Sequence, residues 1–247
     1  MANVSISLEE FNISDEEIKI IYKKYKEELK APDVLDDIFN IILKYRKMSP
    51  TYSISKNKCS CENYIRRWIK AYMKADKNLP SKHVAKPQKA CTDDVLKFII
   101  QKAIGCCSEE ICKFERYHNL YMSAENIQGA LLEEYIANNI EKLGWIWCKG
   151  CTIKSTDFCK KDGSAFLQIK NKYNTENSSS NKIRENLPVQ VEPWYRLGRN
   201  GEKRWNALNS IIKEHTQNDC NCNLTEEDYI TFVSKVAAEN KQIVSEK

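Results

Sequence analysis

The chain has 247 residues, of which 42% are apolar and 30% charged, a composition that fits a globular protein with a sizeable core and excludes a disordered or fibrous one. No apolar run approaches the roughly 20 residues that a membrane helix needs, and residues 1–11 lack the basic and apolar regions of a signal peptide. We therefore expect a soluble, cytoplasmic protein without a membrane partner.

The net charge of +5 is concentrated in one part of the chain. Residues 154–204 contain 11 basic and 6 acidic side chains, and the remainder of the sequence is balanced. A basic segment indicates a polyanionic partner, although a solvated surface would have the same composition.

The 11 cysteines favour free thiols, because their number is odd and the expected compartment is reducing. Cys148 and Cys151 have the two-residue spacing of a zinc knuckle, but no second pair repeats that spacing. A zinc-binding interaction module built on these two residues is therefore the least favoured interpretation.

The first 120 residues are predicted to form a helical N-terminal region. Ser14–Glu17 is a capping box, and apolar residues follow it at helical spacing up to Leu29. Further helices are expected over 34–43, 62–77 and 92–104. Their apolar stripes predict core packing and indicate no chemistry.

From residue 121 onward the pattern changes to that of an α/β (α+β) core. A long helix begins near residue 124 and ends at Gly144, and a closing helix begins at Thr225. Between them, short runs of strand-forming residues predict strands over 145–149, 152–159 and 165–173. The sequence therefore predicts that 121–247 forms a sheet flanked by helices.

The third predicted strand carries the candidate active site. Because side chains alternate across a sheet, Leu167 and Ile169 should face the core. Gln168 and Lys170 should then face the other side. Asp157 precedes these two residues by eleven and thirteen positions, the length of one hairpin. Its carboxylate is thus predicted to meet an amide and an ammonium group, and a solvated polar face is the alternative.

Glu133, on the preceding helix, is a further candidate. At 100° per residue it shares a helix face with Gly129 and Ile140. A carboxylate that borders an apolar face needs a partner or a metal ion, and a helix salt bridge is the alternative. Glu134, which is expected on a more polar side of the helix, is its rival.

Asp157, Gln168, Lys170 and Glu133 together resemble the core of the PD-(D/E)xK nucleases. The resemblance implies a central mixed sheet flanked by helices and a bound Mg²⁺ with Asp157, Gln168 and Glu133 as ligands. It also implies that Lys170 orients and helps to deprotonate the attacking water. Two positions depart from the motif, since Thr156 stands where the motif has Pro and Gln168 replaces the second acidic residue. An amide oxygen is a weaker Mg²⁺ ligand than a carboxylate, which leaves the number of metal ions open.

The flanking sequence is similar to the SinI-type type II restriction endonucleases over about residues 123–208. The similar segments are, in chain order, Gln128–Ala137, Gly144–Trp145, Thr156–Phe158, Leu167–Lys172, Asn174–Ser180 with Arg184, Trp194–Arg196 and Arg204–Asn206. The resemblance implies cleavage of double-stranded DNA at a short, near-palindromic site similar to GGWCC. Such a site favours a homodimer, because each strand needs its own active site. The resemblance also implies a companion DNA methyltransferase that acts on the same site.

The segment 171–206 is predicted to recognise DNA, because it is rich in the amide, hydroxyl and basic groups that bind bases and phosphates. The candidate residues are Asn174, Asn177, Ser178, Ser179, Ser180, Lys182, Arg184, Arg196, Arg199 and Arg204. A polar loop without this role is the alternative for the Asn/Ser run. Two other functions stay open: a DNA-binding protein without catalysis, in which Lys170 only contacts a phosphate, and a repair-type nuclease with the same core.

Overall fold

The computed structural model describes residues 3–85, 93–172, 186–216 and 222–245. The chain forms two compact units, and each combines two separate segments of the sequence. The first contains Met1–Asn78 and Tyr135–Glu226, and the second contains Leu79–Glu134 and Glu227–Lys247. The expected division of the chain after residue 120 stays a prediction.

The N-terminal part of the first unit contains three helices and a small sheet. The helices are α1 (Asp15–Leu29), α2 (Val34–Lys44) and α3 (Cys61–Lys77), and the antiparallel strands are β1 (Asn3–Ile6) and β2 (Tyr52–Ser55). The capping box that the sequence predicts at the start of α1 is present, since Ser14 and Glu17 exchange hydrogen bonds. The two strands were not expected, because four residues give too short an alternation to detect.

These helices bury their predicted apolar stripes in one core. Tyr22 of α1 stacks on Phe39 of α2 with ring centroids 3.8 Å apart. Trp68 of α3 is fully buried against both rings. The expectation that these stripes form a core is confirmed for these three helices. It is wrong for the predicted helix over 92–104, because none of the residues of the observed helix Asp94–Ile104 is buried.

The rest of the first unit contains a four-stranded mixed sheet, which agrees with the predicted α/β fold class and with a restriction-endonuclease-like core. Its strands, in spatial order, are β3 (Trp145–Trp147), β4 (Phe158–Lys160), β5 (Phe166–Lys172) and β6 (Glu192–Leu197). Neighbouring strands are antiparallel except for β5 and β6, which are parallel. The helix that follows β6 buries Trp205, Leu208 and Ile212 and spans Trp205–Glu214. We call it α6.

The second unit is built from helices. They are α4 (Asp94–Ile104), α5 (Ser108–Ile140, whose last six residues belong to the first unit) and α7 (Glu226–Glu239, whose first residue does). The sequence placed the start of α5 near residue 124, but the helix begins 16 residues earlier. Glu110 accepts a hydrogen bond from the backbone N–H of Cys107 at 2.8 Å and thereby caps this earlier start. None of the described helices is both long and apolar enough to cross a membrane.

Two hydrogen bonds join the backbone of the loop between β3 and β4 to the N-terminal part of the first unit. Trp68 of α3 donates from Nε1 to the carbonyl oxygen of Thr152 at 2.9 Å. The backbone N–H of Lys154 donates to the carbonyl oxygen of Met48 at 2.7 Å. A predicted strand over 152–159 is therefore wrong for residues 152–157, where the chain turns against the N-terminal helices and β4 begins only at Phe158.

Gly150 allows this loop to approach α3 closely. Its φ is +69°, and a Cβ atom at this position would lie 2.5 Å from the carbonyl oxygen of Ala71. Glycine is therefore required here both for the left-handed backbone and for the space. Through this contact the N-terminal helices position the chain that leads into Asp157.

We predict that Gly150→Ala destabilises the protein by about 3 kcal/mol or more, because the left-handed backbone and the clash with α3 both act. Gly201→Ala is the matched control, since Gly201 also has a positive φ (+79°) but has nothing within 4 Å of the place that a Cβ atom would occupy. The control should lose only about 1 kcal/mol. Urea denaturation measures both free energies of unfolding, and equal losses would show that the contact with Ala71 contributes nothing.

Candidate active site

Asp157 lies directly before β4 and is tied into the sheet through its backbone. Its N–H donates to the carbonyl oxygen of Leu167 on β5 at 2.9 Å, and its carbonyl oxygen accepts from the N–H of Cys148 at 2.8 Å. The residue is therefore held between the chain that follows β3 and the strand β5. The hairpin that the sequence predicted between Asp157 and β5 is confirmed by the pairing of β4 with β5.

The carboxylate of Asp157 has both a neutral and a charged neighbour. Its Oδ2 atom accepts a hydrogen bond from the backbone N–H of Ile169 at 2.7 Å. Burial raises the pKa of Asp157 to about 6, while the Ile169 N–H and the charge of Lys170 act in the opposite direction. Without a further cation, the carboxyl group is thus partly protonated just below neutral pH.

The alternation predicted for β5 is present. Leu167 and Ile169 are buried, whereas Gln168 and Lys170 are partly exposed on the other face of the strand. The β4–β5 register pairs Phe158 with Leu167. Asp157 binds the backbone of Leu167 and Ile169, the residues on either side of Gln168, and the charge of Lys170 acts on its carboxylate. The structure thus brings three of the four predicted catalytic residues to one edge of the hairpin.

Glu133, the fourth predicted catalytic residue, is partly exposed on α5 in the second unit, and its role at the site stays a prediction. The expectation that Glu134 lies on a more polar side of the helix is wrong. Glu134 is buried under the turn Pro80–Lys82 of the same unit. It accepts hydrogen bonds from the backbone N–H and hydroxyl of Ser81 at 2.7 and 2.5 Å. This capping of a turn accounts for its burial.

The donor atoms at the hairpin edge fit a hard cation rather than a soft one. Asp157 offers a carboxylate and Gln168 an amide oxygen, both of which suit Mg²⁺, an ion that retains several water ligands and also binds phosphate oxygens. No group of three or more His, Cys, Asp or Glu side chains that could hold a metal occurs within the described ranges. A site of this composition would therefore take part of its coordination from water and substrate.

The cysteines near the site belong to no group of three or more metal-binding side chains among the described residues. Cys148 and Cys159 are buried with their Sγ atoms 3.5 Å apart. Cys151, the other member of the two-residue motif, is exposed. All three are reduced thiols, as the sequence predicted.

Arg196, which was expected to contact DNA from the surface, is buried. Its guanidinium forms an ion pair with Glu226, and its Nε atom donates to Oδ1 of Asn171 at 2.8 Å. Glu226 also accepts from Nε1 of Trp205 at 2.6 Å. The side chain thus binds within the protein, because its positive charge compensates a buried carboxylate.

The sequence did not single out Glu226, Asn171 or Trp205 as members of this network. Glu226 is the first residue of α7, where an acidic residue is ordinarily explained by the helix dipole. The pairing joins residues 30 positions apart, so no local pattern shows it.

The other predicted DNA contacts are only partly described. Arg199 is exposed in the turn after β6. Arg204 is partly exposed, and its carbonyl oxygen accepts from Nε1 of Trp194 at 3.0 Å. The remaining candidates lie outside the described residues: Asn174, Asn177, Ser178, Ser179, Ser180, Lys182 and Arg184.

Comparison with known proteins identifies the family of the chain. The model of the SinI restriction endonuclease family matches residues 19–239. The chain is 32% identical to the type II restriction enzyme SinI of Salmonella infantis over 208 residues, which cover 81% of this chain and 86% of that protein. It is 33% identical to the type II restriction enzyme Eco47I of Escherichia coli over 183 residues, 72% of this chain and 74% of that protein. The chain therefore belongs to the SinI restriction endonuclease family.

Proposed function

We propose that the protein is a type II site-specific deoxyribonuclease that hydrolyses both strands of double-stranded DNA in the presence of Mg²⁺. The observation that carries this proposal is the Asp157 carboxylate, held by the N–H of Ile169 beside the charge of Lys170. Family membership supports the reaction class. The proposed target is a short, near-palindromic sequence similar to GGWCC.

In the proposed reaction, the oxygen of a water molecule attacks the phosphorus, and the bond from phosphorus to one sugar oxygen breaks. The ammonium group of Lys170 orients this water by donating a hydrogen bond to it, and it favours loss of the water's proton to solvent by stabilising the hydroxide that forms. The departing sugar oxygen takes up a proton from solvent. Asp157, Gln168 and Glu133 are the proposed ligands of Mg²⁺. When bound there, the ion would neutralise charge on the phosphate oxygens and favour hydroxide at neutral pH.

We further propose that the protein acts as a homodimer in a cell that also contains a DNA methyltransferase for the same site. The polar run that includes Asn174, Asn177 and Ser178–Ser180 would bind bases, with Lys182, Arg184, Arg199 and Arg204 on phosphates or guanines. Arg196 has a different role in this proposal, because its guanidinium is engaged with Glu226. Its contacts with Glu226 and Asn171 connect β6 to α7 and β5.

Lys170→Ala should reduce cleavage of unmethylated DNA by roughly 10³-fold, because the water then lacks the group that orients it. Lys161→Ala is the matched control, since Lys161 is an exposed lysine at the turn of the same hairpin, and it should cleave normally. Gel electrophoresis of phage DNA with and without Mg²⁺ measures cleavage by both variants.

If DNA is bound but left intact by the unmodified protein and by the Lys170 variant alike, the protein is a non-catalytic binder. Cleavage at nicks or forks rather than at one sequence would indicate a repair-type nuclease.

Asp157→Asn should abolish cleavage yet stabilise the protein at pH 8 without Mg²⁺, by up to about 3 kcal/mol. Asp157 has a pKa raised to about 6 in the folded state. The contribution of Asp157 to the free energy of unfolding is therefore fully present below the pKa of the unfolded state, and it is lost as the pH rises through about 6. Asn keeps an oxygen that accepts from Ile169 and has no charge to bury.

Thermal unfolding between pH 4 and pH 8 measures this effect. The variant should become more stable than the unmodified protein as the pH rises from 4 to 7. At pH 8, Mg²⁺ should make this difference in stability smaller, because it binds the charged carboxylate of the unmodified protein. A difference that does not change with pH would contradict the raised pKa.

A further inference from the structure

A buried cation is bound to the strand that carries Lys170. Arg196 of β6 is only 6% exposed. The β5–β6 register pairs Lys170 with Tyr195. The residues that follow in the two strands, Asn171 and Arg196, are joined by the hydrogen bond of 2.8 Å from Nε of the guanidinium. Because side chains alternate along a strand, this bond lies on the opposite face of β5 from Lys170.

The guanidinium of Arg196 holds two partners at once. Its Nη1 atom pairs with Oε1 of Glu226, while Nε binds Oδ1 of Asn171. The other carboxylate oxygen of Glu226 accepts from Nε1 of Trp205 at 2.6 Å. A guanidinium is planar and its N–H groups point in fixed directions. The position of the Asn171 side chain is therefore tied to that of a buried carboxylate.

Lys170 lies where β5 has a strand on one side only. The pairing of β4 with β5 covers Phe166 and Leu167, whereas β6 pairs with β5 from Leu167 to Lys172. Among the described strands, only β6 therefore pairs with β5 beyond Leu167. The bond from Arg196 adds a side-chain restraint to the backbone pairing in this stretch.

Stability alone is a weak reason for a buried ion pair. The two charges lose their hydration, and replacement of such a pair by well-packed apolar residues is often neutral or stabilising. An ion pair with further hydrogen bonds differs from apolar packing in its fixed direction. Direction matters next to a group that takes part in chemistry, because a displacement of about 1 Å can reduce a reaction rate by about 100-fold.

We propose that Arg196 is a positioning residue that holds Lys170 in place through Asn171. Asn171 directly follows Lys170, so a fixed Asn171 side chain restricts the backbone from which the lysine side chain extends. Arg196 itself contacts neither the DNA nor the attacking water. This role rests on the proposed function, in which Lys170 orients that water.

Two single variants test this role by removing the bond between the two side chains. They are Asn171→Ala and Arg196→Lys, and the second keeps a positive charge for Glu226 but cannot hold both partners in the geometry of arginine. With saturating DNA and Mg²⁺, each variant should cleave about 10- to 100-fold more slowly in a single turnover. The dissociation constant for DNA, measured by gel shift without Mg²⁺, should change by less than about twofold, because only the placement of Lys170 is altered.

Two further variants separate positioning from a general loss of structure. Asn171→Asp keeps an oxygen that accepts from Arg196 and should cleave at nearly the normal rate. The double variant Asn171→Ala/Arg196→Lys should be no slower than the slower single variant, because both changes remove the same contact. Losses that multiply in the double variant would overturn the proposal. A loss of DNA affinity as large as the loss of rate would also overturn it, since the network would then act on DNA binding.

Thr216→Val is the matched control. It also removes one part-buried hydrogen bond of the first unit, from Thr216 to the carbonyl oxygen of Ile212 at 2.6 Å. Thr216 lies beyond the end of α6 opposite to Trp205, so this variant should cleave normally. Normal cleavage by Asn171→Ala as well would overturn the proposal.

Amide hydrogen exchange of the full chain without DNA is a readout that does not depend on cleavage. In Asn171→Ala, the amides of residues 168–172 should exchange about 5-fold faster or more, because the strand has lost one restraint. In Thr216→Val they should exchange as in the unmodified protein. An unmodified protein that leaves DNA intact would contradict the proposed nuclease function. Unchanged exchange in Asn171→Ala would instead overturn the role of Arg196.

Discussion

The contact between the β3–β4 loop and α3 is the constraint on which the site depends. A loop next to an active site ordinarily varies in position more than the elements it connects. Here Gly150 lies against the backbone of Ala71, and Trp68 binds the backbone at Thr152. Trp68 belongs to the aromatic core of the N-terminal helices. The position of the loop that leads to Asp157 therefore depends on that core. The N-terminal helices therefore support the candidate active site although they contain no candidate catalytic residue.

The buried pair of Arg196 and Glu226 fixes β6, at the edge of the sheet opposite to β3. Burial of two charges is costly unless their remaining hydrogen-bonding groups also find partners. Trp205 and Asn171 meet this requirement by binding Glu226 and Arg196, respectively. Asn171 directly follows Lys170 on β5. The network thus reaches the residue adjacent to the proposed catalytic lysine and connects it to β6, α6 and the first residue of α7.

Much of the fold was predictable because its signals are local. The capping box at Ser14, the alternation along β5 and the hairpin spacing before Lys170 depend on residues close together in sequence. The misplaced features depend on distant partners instead. Glu134 is buried by Ser81, 53 positions away, and Arg196 pairs with Glu226, 30 positions away. For both residues the sequence showed the charge, but whether that charge is solvated or compensated is decided by tertiary contacts.

The division of the first unit into two sequence segments has a consequence for folding during synthesis. The hydrogen bond from Trp68 to Thr152 joins residues 84 positions apart, with most of the second unit encoded between them. The surface of α3 that receives the β3–β4 loop therefore stays uncovered while those intervening residues leave the ribosome. Contacts between such distant residues form slowly, because a long chain must first be closed. The contact that supports the candidate catalytic hairpin therefore forms late, and Asp157 in a nascent chain gains this support only after most of the polypeptide has been made.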